Sequence, residues 1–201
     1  MTHQKLVNYL TNKVSPKTLD VMKTLDRAEF VPQKIKTDEK IYLDSPHTIG
    51  HGVTISQPSL VGKMIDYLEL DSINNVLELG TGSGYNAAIM GKLLPFGSVT
   101  TVERVPSLGK HAKKVLKKDK NVKVITGDAT KISYSHKFDR IIATAEIMNR
   151  SQMKRFVQEN AATFCIAIFP YKSKLRKLVK CGSNFEYTTL FRVRFVPVIE
   201  D

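Results

Sequence analysis

The stretch VLELGTGSGYNAAIM, residues 76–90, decides the fold prediction. Its first four residues favour a strand, three glycines follow within five positions, and the remainder favours a helix. Glycine permits left-handed backbone conformations and leaves no Cβ between the main chain and a bound molecule. A strand, a glycine turn and a helix in this order predict a ligand site at the carboxyl end of a strand in an α/β protein.

The rest of the chain repeats this alternation of strand and helix. The patterns predict strands at 75–79, 98–103, 122–126, 138–144 and 163–169, and helices at 84–94, 106–118 and 150–160. Such alternation favours right-handed crossovers and a mostly parallel sheet covered on both faces. The last stretch, FEYTTLFRVRFVPVI (185–199), has no helix before it and predicts an antiparallel hairpin that closes the sheet.

The segment before the glycine turn has a different pattern. Residues 3–13 and 16–27 predict two short amphipathic helices, and 29–53 is rich in turn residues. A helix is predicted across 57–70, with Ser56 as its N-cap. We therefore predict one Rossmann-like α/β domain over residues 1–201: a doubly wound, mostly parallel sheet with an antiparallel C-terminal strand pair and an N-terminal helical extension.

Composition excludes several classes of protein. The 201 residues contain no run of about 20 apolar residues, which a membrane-spanning helix needs. The N-terminus lacks the features of a secretion signal, and two cysteines are too few for a disulfide scaffold, so we predict a cytoplasmic protein. Whether Cys165 and Cys181 meet stays open at this point.

The net charge of +12 raises the question of a nucleic-acid partner. Much of the excess lies in KHAKKVLKKDKNVK (110–123) and KSKLRKLVK (172–180). In the first segment Leu108, Ala112 and Leu116 share a helical face, so a solvated basic face explains the lysines without a ligand. No aromatic residues are interleaved as stacking platforms, and a nucleic-acid partner is therefore not expected, although the charge does not exclude one.

Acidic residues accompany the glycine turn at three places. Glu78 precedes the turn, Glu103 ends the next strand 23 residues beyond Gly80, and Asp128 follows the strand after that. A carboxylate at the spacing of Glu103 suits the two hydroxyls of a ribose. The turn itself is a compact G-x-G-x-G rather than the G-x-G-x-x-G that sets a helix against a pyrophosphate.

ELGTGSG, VTTVER and TGD, in this order, resemble the first three motifs of class I methyltransferases. The resemblance implies S-adenosylmethionine as cofactor and S-adenosylhomocysteine as product, with residues 71–201 as the binding core. In that family the glycine loop and the preceding acid hold the methionine end, the second acid holds the ribose, and the third loop holds the adenine. The implied cofactor-binding residues are Glu78, Gly80, Thr81, Gly82, Ser83, Gly84, Glu103, Arg104, Asp128, Ala129 and Thr144.

Further segments resemble the protein-L-isoaspartate O-methyltransferase family from about residue 20 onwards. They are FVP (30–32), YLDSPHTIGHGVTISQPSLVGKM (42–64), FDRIIATA (138–145) and RFVP (194–197), of which IGHGVTISQP is the most specific. The resemblance implies methylation of the α-carboxylate of L-isoaspartyl residues in damaged proteins, which starts their conversion to aspartate through a succinimide. The implied partners are isoaspartyl proteins or peptides, and residues 1–70 would carry the substrate and lid region. Oligomeric state is not predicted.

Ser56 of the TISQP segment is the predicted catalytic residue, because the family resemblance implies that its hydroxyl binds the acceptor carboxylate. Helix capping is an equally weighted alternative role, and amides at the start of the following helix are predicted to share the anion. The predicted substrate-binding residues are His51, Ile55, Ser56, Gln57, Thr144 and Ala145. His47 and His51 are four apart, but nearby proline and glycines oppose a helix, and no metal site is predicted.

The sequence departs from the family pattern at a few places. Ala129 and Ile132 replace glycines in the loop 129–137, and 145–150 lacks a proline and contains Glu146. Glycines are also absent at 160–162 and at Tyr171, after Pro170. A negative charge at Glu146 would oppose a carboxylate substrate. Two alternatives therefore stay open: an RNA methyltransferase of the tRNA adenine-N1 kind, and a protein that binds the donor without turnover.

Overall fold

The computed structural model describes residues 1–50, 52–145 and 149–193. The N-terminal part contains helices α1 (His3–Leu10) and α2 (Pro16–Thr24), 3-10 turns at Arg27–Phe30, Gln33–Ile35 and Glu39–Tyr42, a hairpin of β1 (His47–Gly50) and β2 (Val53–Ile55), and helix α3 (Pro58–Tyr67). The rest comprises β3 (Asn75–Leu79), α4 (Tyr85–Leu93), β4 (Ser98–Glu103), α5 (Pro106–Val115), β5 (Val122–Thr126), a 3-10 turn at Ala129–Lys131, β6 (Phe138–Ala143), α6 (Arg150–Asn160), β7 (Ala161–Tyr171), β8 (Lys174–Cys181) and β9 (Asn184–Arg192).

The large sheet has seven strands in the order β5-β4-β3-β6-β7-β8-β9. Its first five strands are parallel, and β8 and β9 continue it as an antiparallel meander. The predicted Rossmann-like fold with an antiparallel C-terminal pair is thus confirmed. Strand order reverses at β3, which pairs with β4 on one side and β6 on the other. In open α/β sheets ligands bind beyond the carboxyl ends of the strands at such a switch point.

The C-terminal pair lies at a different place from the predicted one. Strand β8 occupies the basic segment for which the sequence predicted no element, because charged residues surround Leu175 and Leu178, which are buried on opposite faces of the sheet and give no period-two pattern. Even Lys180 is buried, and its ammonium donates to the Ala162 carbonyl at 2.7 Å. The hairpin partner of β8 is β9, and the part of the predicted strand beyond residue 193 lies outside the described residues.

Hydrophobic clusters cover both faces of the sheet. One includes α4, α5 and the N-terminal helices, and within it Leu108, Ala112 and Leu116 form the buried face predicted for α5. The other packs α6 against the opposite face. Cys165 lies opposite Lys180 and Cys181 lies opposite Phe164, so the two cysteines face opposite sides of the sheet and do not meet.

Asp66 of α3 attaches the N-terminal helices to the core. Its carboxylate accepts hydrogen bonds from the Ser15 amide at 2.8 Å, the Ser15 hydroxyl at 2.5 Å and the Thr18 hydroxyl at 2.6 Å. The Ser15 hydroxyl in turn caps α2 by accepting from the Thr18 amide. One carboxylate therefore fixes the start of α2 against α3. Among the described residues, no helix combines the length and the apolar character required to cross a lipid bilayer.

We expect Asp66→Ala to lower the free energy of unfolding by about 2–4 kcal/mol, because it leaves three partly buried donors without their acceptor. Asp20→Ala is the matched control, since Asp20 is exposed and its contact is an ion pair with Lys23. Urea denaturation of both variants measures the difference. Similar losses in the two variants would contradict the role assigned to Asp66.

Candidate active site

A cavity of about 760 Å³ lies at the carboxyl ends of β3, β4, β5 and β6. Strand β2 and the start of α3 form one wall, and the loops that follow the four strands form another. One face of α6 completes the lining. The site is therefore built at the topological switch point of the sheet, where the glycine turn ends β3.

Most of the predicted site residues line this one cavity. Of the predicted cofactor residues, those at its wall are Gly80, Thr81, Gly82, Ser83, Glu103, Arg104, Asp128, Ala129 and Thr144. Of the predicted substrate residues, those at its wall are Ile55, Ser56, Gln57, Thr144 and Ala145. Glu78 and Gly84 are not among the lining residues, and His51 and Glu146 lie outside the described part of the chain.

The glycine turn has the backbone conformation that only glycine adopts without strain. Gly80, Gly82 and Gly84 have φ values of +94°, +52° and +86°. A Cβ on Gly80 would stand 2.6 Å from the Thr144 hydroxyl, which donates to the Gly80 carbonyl at 2.6 Å. The turn thus packs directly on the end of β6, and the cavity wall at Gly80 and Gly82 is main chain. A donor molecule can approach this wall closely.

Glu103 bridges two loops at the cavity. One carboxylate oxygen accepts from the Gly82 amide at 2.7 Å, and the other accepts from the Val105 amide at 2.9 Å. The side chain is nearly buried. A carboxylate held in this way is fixed in position and retains lone pairs for hydroxyl donors. Glu103 therefore has the geometry to bind a diol beside the glycine turn.

Asp128 shapes the next loop along the cavity. Its carboxylate accepts from both the amide and the hydroxyl of Thr130, and these hydrogen bonds hold its pKa below the usual range. Ala129 then begins the 3-10 turn, a conformation open to any L-residue. The Tyr134 hydroxyl donates to the Ala129 carbonyl at 2.9 Å. The glycine that the family pattern has at this position is therefore not needed here.

Glu78 lies behind the cavity wall rather than in it. Its buried carboxyl group accepts from the Asn86 amide at 2.7 Å and from the Thr101 hydroxyl at 2.6 Å. Thr101 also hydrogen-bonds Thr81, a residue of the wall, at 2.6 Å. Burial raises the pKa of Glu78 to about 7, even though both hydrogen bonds favour the ionised form. Glu78 supports the turn through this network.

The raised pKa of Glu78 predicts a pH dependence of stability. Because the folded protein keeps this proton up to about pH 7 and the unfolded chain up to 4.5, the contribution of Glu78 is complete below pH 4.5 and is lost as the pH rises to 7. Glu78→Gln mimics the protonated form at every pH. We expect the stability of the natural protein to fall relative to this variant by about 2–3 kcal/mol over that interval. Denaturant titrations across pH test this, and a constant difference would contradict it.

The prediction that Ser56 is the N-cap of α3 is wrong. Gln57 occupies the N-cap position, and Pro58 follows as the first helical residue. Asp44 supplies the cap from the preceding loop: it accepts from the Ser59 amide at 2.8 Å and from the Gln57 side chain at 3.2 Å. Ser56 is therefore not the cap. The amides at the start of α3 were also predicted to bind the substrate anion, but the first of them, the Ser59 amide, already donates to Asp44.

The Ser56 hydroxyl faces a different environment from a capping serine. It is half-buried at the cavity wall, and within the described part of the chain it makes no hydrogen bond. A hydroxyl without a protein partner at a cavity can donate to a bound acceptor. The structure thus leaves Ser56 available for a ligand.

Helix α6 contributes side chains to the cavity that were not among the predicted site residues. Gln152, Arg155, Phe156 and Glu159 line the cavity. Their spacing of three, four and seven residues places them on one helical face, a signal that was present in the sequence. Val53 of the hairpin was also missed; its side chain lies 3.8 Å from where a Cβ on Gly82 would stand. The hairpin therefore covers the glycine turn.

Histidines contribute no metal centre to the described structure. His47 lies 3.6 Å from the Asp38 carboxylate, an ion-pair distance when the ring is protonated. In residues 1–50, 52–145 and 149–193 there is no group of three or more His, Cys, Asp or Glu side chains that could hold a metal ion.

Comparison with known proteins gives consistent matches. The chain matches the family described as Protein-L-isoaspartate(D-aspartate) O-methyltransferase over residues 1–201. A protein-L-isoaspartate O-methyltransferase of Fervidobacterium nodosum is 36% identical over 190 residues, covering 92% of this chain and 94% of the relative. Another, from Methanococcus maripaludis, is 38% identical over 189 residues, covering 90% and 86%. A Plasmodium falciparum protein described by the same activity, crystallised with S-adenosyl-L-homocysteine, has the same fold, with a TM-score of 0.85 and 23% identity over 100% of both chains.

Proposed function

The chain belongs to the protein-L-isoaspartate(D-aspartate) O-methyltransferase family, and on this premise we propose that it methylates the α-carboxylate of L-isoaspartyl residues in damaged proteins. One observation carries the proposal: the Ser56 hydroxyl lies at the wall of the same cavity as the glycine turn and Glu103. An acceptor held by Ser56 and a donor held by the turn would meet there.

The donor side of the cavity suits S-adenosylmethionine, which supplies an electrophilic methyl group when bound. The main-chain wall at Gly80 and Gly82 would hold the methionine end, with Glu78 supporting it from behind. Glu103 would bind the ribose hydroxyls through the lone pairs that its two amide contacts leave free. Asp128 and Ala129 would border the adenine. Arg104, Ser83 and Thr144 complete this side.

The acceptor side would have a positioning task rather than an acid–base one. A carboxylate is already ionised at neutral pH, so no residue needs to remove a proton from it. The carboxylate oxygen forms the new bond to the methyl carbon while the bond from that carbon to sulfur breaks, and no proton moves. Ser56 would orient the carboxylate by donating one hydrogen bond, and Ile55 and Gln57 would border it. Alignment and exclusion of water then account for the rate.

We propose a division of labour within one domain. Residues 1–70 would form the acceptor side, through the hairpin and the start of α3, and residues 71–201 would form the donor side. Damaged proteins or peptides are the proposed partners. We also propose a cytoplasmic location.

Repair of a synthetic isoaspartyl peptide tests the proposal. The peptide is incubated with the protein and S-adenosylmethionine, and products are followed by chromatography and mass spectrometry. We expect a methyl ester first, then a succinimide, then the aspartyl peptide, and no change when S-adenosylhomocysteine replaces the donor. Absence of the ester over the whole time course, with the donor bound, would refute the proposed acceptor.

A further inference from the structure

Arg27 lies fully buried beneath the acceptor wall of the cavity. Its exposed fraction is 0%, and it is the first residue of the 3-10 turn Arg27–Phe30. Its Nε donates to the Ile41 carbonyl at 2.8 Å, and its Nη2 donates to the Ile55 carbonyl at 3.1 Å. Nη2 also reaches the Ser45 carbonyl at 3.5 Å. One guanidinium therefore joins the segment 41–45 to the end of β2.

This environment is unusual for a buried cation. The hydrogen bonds of Arg27 go to main-chain carbonyls, and no carboxylate lies within ion-pair distance among the described residues. Nη1 is buried without a partner, and burial lowers the pKa of the guanidinium to about 10. Burying a charge without an ion-pair partner opposes folding, and the Asp44 carboxylate, which lies beyond ion-pair distance, offsets only part of the effect of burial. Stability alone therefore gives a poor account of an arginine at this position.

Arg27 also contacts the donor side. Its guanidinium carbon lies 5.6 Å from the centre of the Tyr85 ring, a distance typical of cation–π contact. Tyr85 begins α4 directly after the glycine turn and lines the cavity. The same side chain thus connects the acceptor segment that ends at Ile55 to the helix that follows the donor turn.

The contact with Ile55 bears directly on Ser56. The Ile55 carbonyl and the Ser56 Cα belong to one planar peptide unit, so fixing the oxygen fixes the base of the serine side chain. We infer that Arg27 is a positioning residue that sets the Ser56 hydroxyl relative to the donor turn. The inference rests on the proposed function, because it gives Ser56 an acceptor to orient.

The guanidinium group is suited to this task in a way that lysine is not. Its N–H donors lie in one rigid plane and can serve several carbonyls in fixed directions, whereas an ammonium is a compact charge on a flexible stem. Arg27→Lys keeps the charge and loses the fork. This variant therefore separates positioning from the presence of a buried cation.

Arg140 provides a matched control within the same chain. It is also buried, and its Nε and Nη2 donate to the carbonyls of Leu68 and Glu69 at 2.5 and 3.0 Å, at the end of α3. It does not line the cavity. Arg140→Lys thus removes a guanidinium that also binds main-chain carbonyls in a buried position, but outside the cavity that contains Ser56.

The experiment compares the natural protein, Arg27→Lys and Arg140→Lys at a temperature at which all are folded by circular dichroism. For each we would measure the Kd for S-adenosylhomocysteine and the kcat and KM for an isoaspartyl peptide. We expect Arg27→Lys to lower kcat/KM by about 10–100-fold with the donor Kd nearly unchanged, as for a small misplacement of a catalytic group. Arg140→Lys is expected to keep the natural kcat/KM.

Chemical rescue provides a second readout if the lysine variant folds poorly. In Arg27→Ala, guanidinium ion at about 10 mM, far below the molar range in which it unfolds proteins, should restore part of the lost activity. Methylammonium, which has the charge without the fork, should not restore it.

Three results would overturn the inference: natural kcat/KM in Arg27→Lys, equal losses in the two lysine variants, or equal rescue by both ions. Failure of the proposed function is distinguishable, because the natural protein itself would then leave the isoaspartyl peptide unmethylated.

Discussion

Replacing Glu103 by alanine is expected to weaken S-adenosylmethionine binding by about 1–3 kcal/mol, or roughly 5–150-fold in Kd. The variant loses the charge-assisted hydrogen bonds proposed for the ribose. It also leaves the amides of Gly82 and Val105 without their shared acceptor, which loosens the glycine turn. Calorimetric titration of the protein with the donor measures the change.

Two further variants show which property of Glu103 matters. Glu103→Gln keeps the shape, but it has one acceptor oxygen and turns an amide group towards a backbone N–H, so we expect a loss close to that of alanine. Glu186→Ala removes an exposed acid on the edge strand β9 and should leave donor affinity unchanged. A natural Kd in Glu103→Ala would show that the ribose site is assigned to the wrong residue.

Replacing Ser56 by alanine is expected to lower kcat/KM for an isoaspartyl peptide by about 10–100-fold, the cost of one hydrogen bond to a charged group. Donor affinity should hardly change, because Ser56 lies on the acceptor wall. The α3 helix should also be unaffected, since Asp44 and not Ser56 binds the Ser59 amide. Steady-state kinetics and calorimetry on one preparation give both quantities.

One control for Ser56 keeps a hydroxyl group at position 56, and the other removes a serine hydroxyl elsewhere in the protein. Ser56→Thr retains a donor and should recover part of the activity. Ser98→Ala removes a serine that donates to Asn75 at the start of the strands, away from the cavity, and should behave as the natural protein. Equal activity in Ser56→Ala and Ser98→Ala would exclude a role for the Ser56 hydroxyl.

The parallel part of the fold could be predicted because its signals are local. The bounds of β3, β4 and β5 agree with the predicted strands 75–79, 98–103 and 122–126. Each of these strands is a short apolar or β-branched run that ends in a turn or an acid, and each can be read without its neighbours. The glycine turn is likewise local, since its positive φ values demand glycine.

The acceptor wall could not be read in this way because distant residues build it. The hairpin β1–β2 forms by pairing across Gly50 and Gly52, which the sequence pattern presents as a loop. Asp44 caps a helix that begins 14 residues later, so the adjacent Ser56 was the natural but mistaken assignment. Arginine is usually found at protein surfaces, and the sequence around Arg27 does not show that the folded chain buries it under Ile55.

Transfer of a methyl group to an isoaspartyl carboxylate is the reaction proposed for this protein, and a labelling assay detects it. Labelled S-adenosylmethionine is incubated with the protein and three acceptors side by side: an isoaspartyl peptide, its aspartyl twin and bulk tRNA. We expect base-labile label on the isoaspartyl peptide alone. Label on tRNA, or a bound donor with no label on any acceptor, would contradict it.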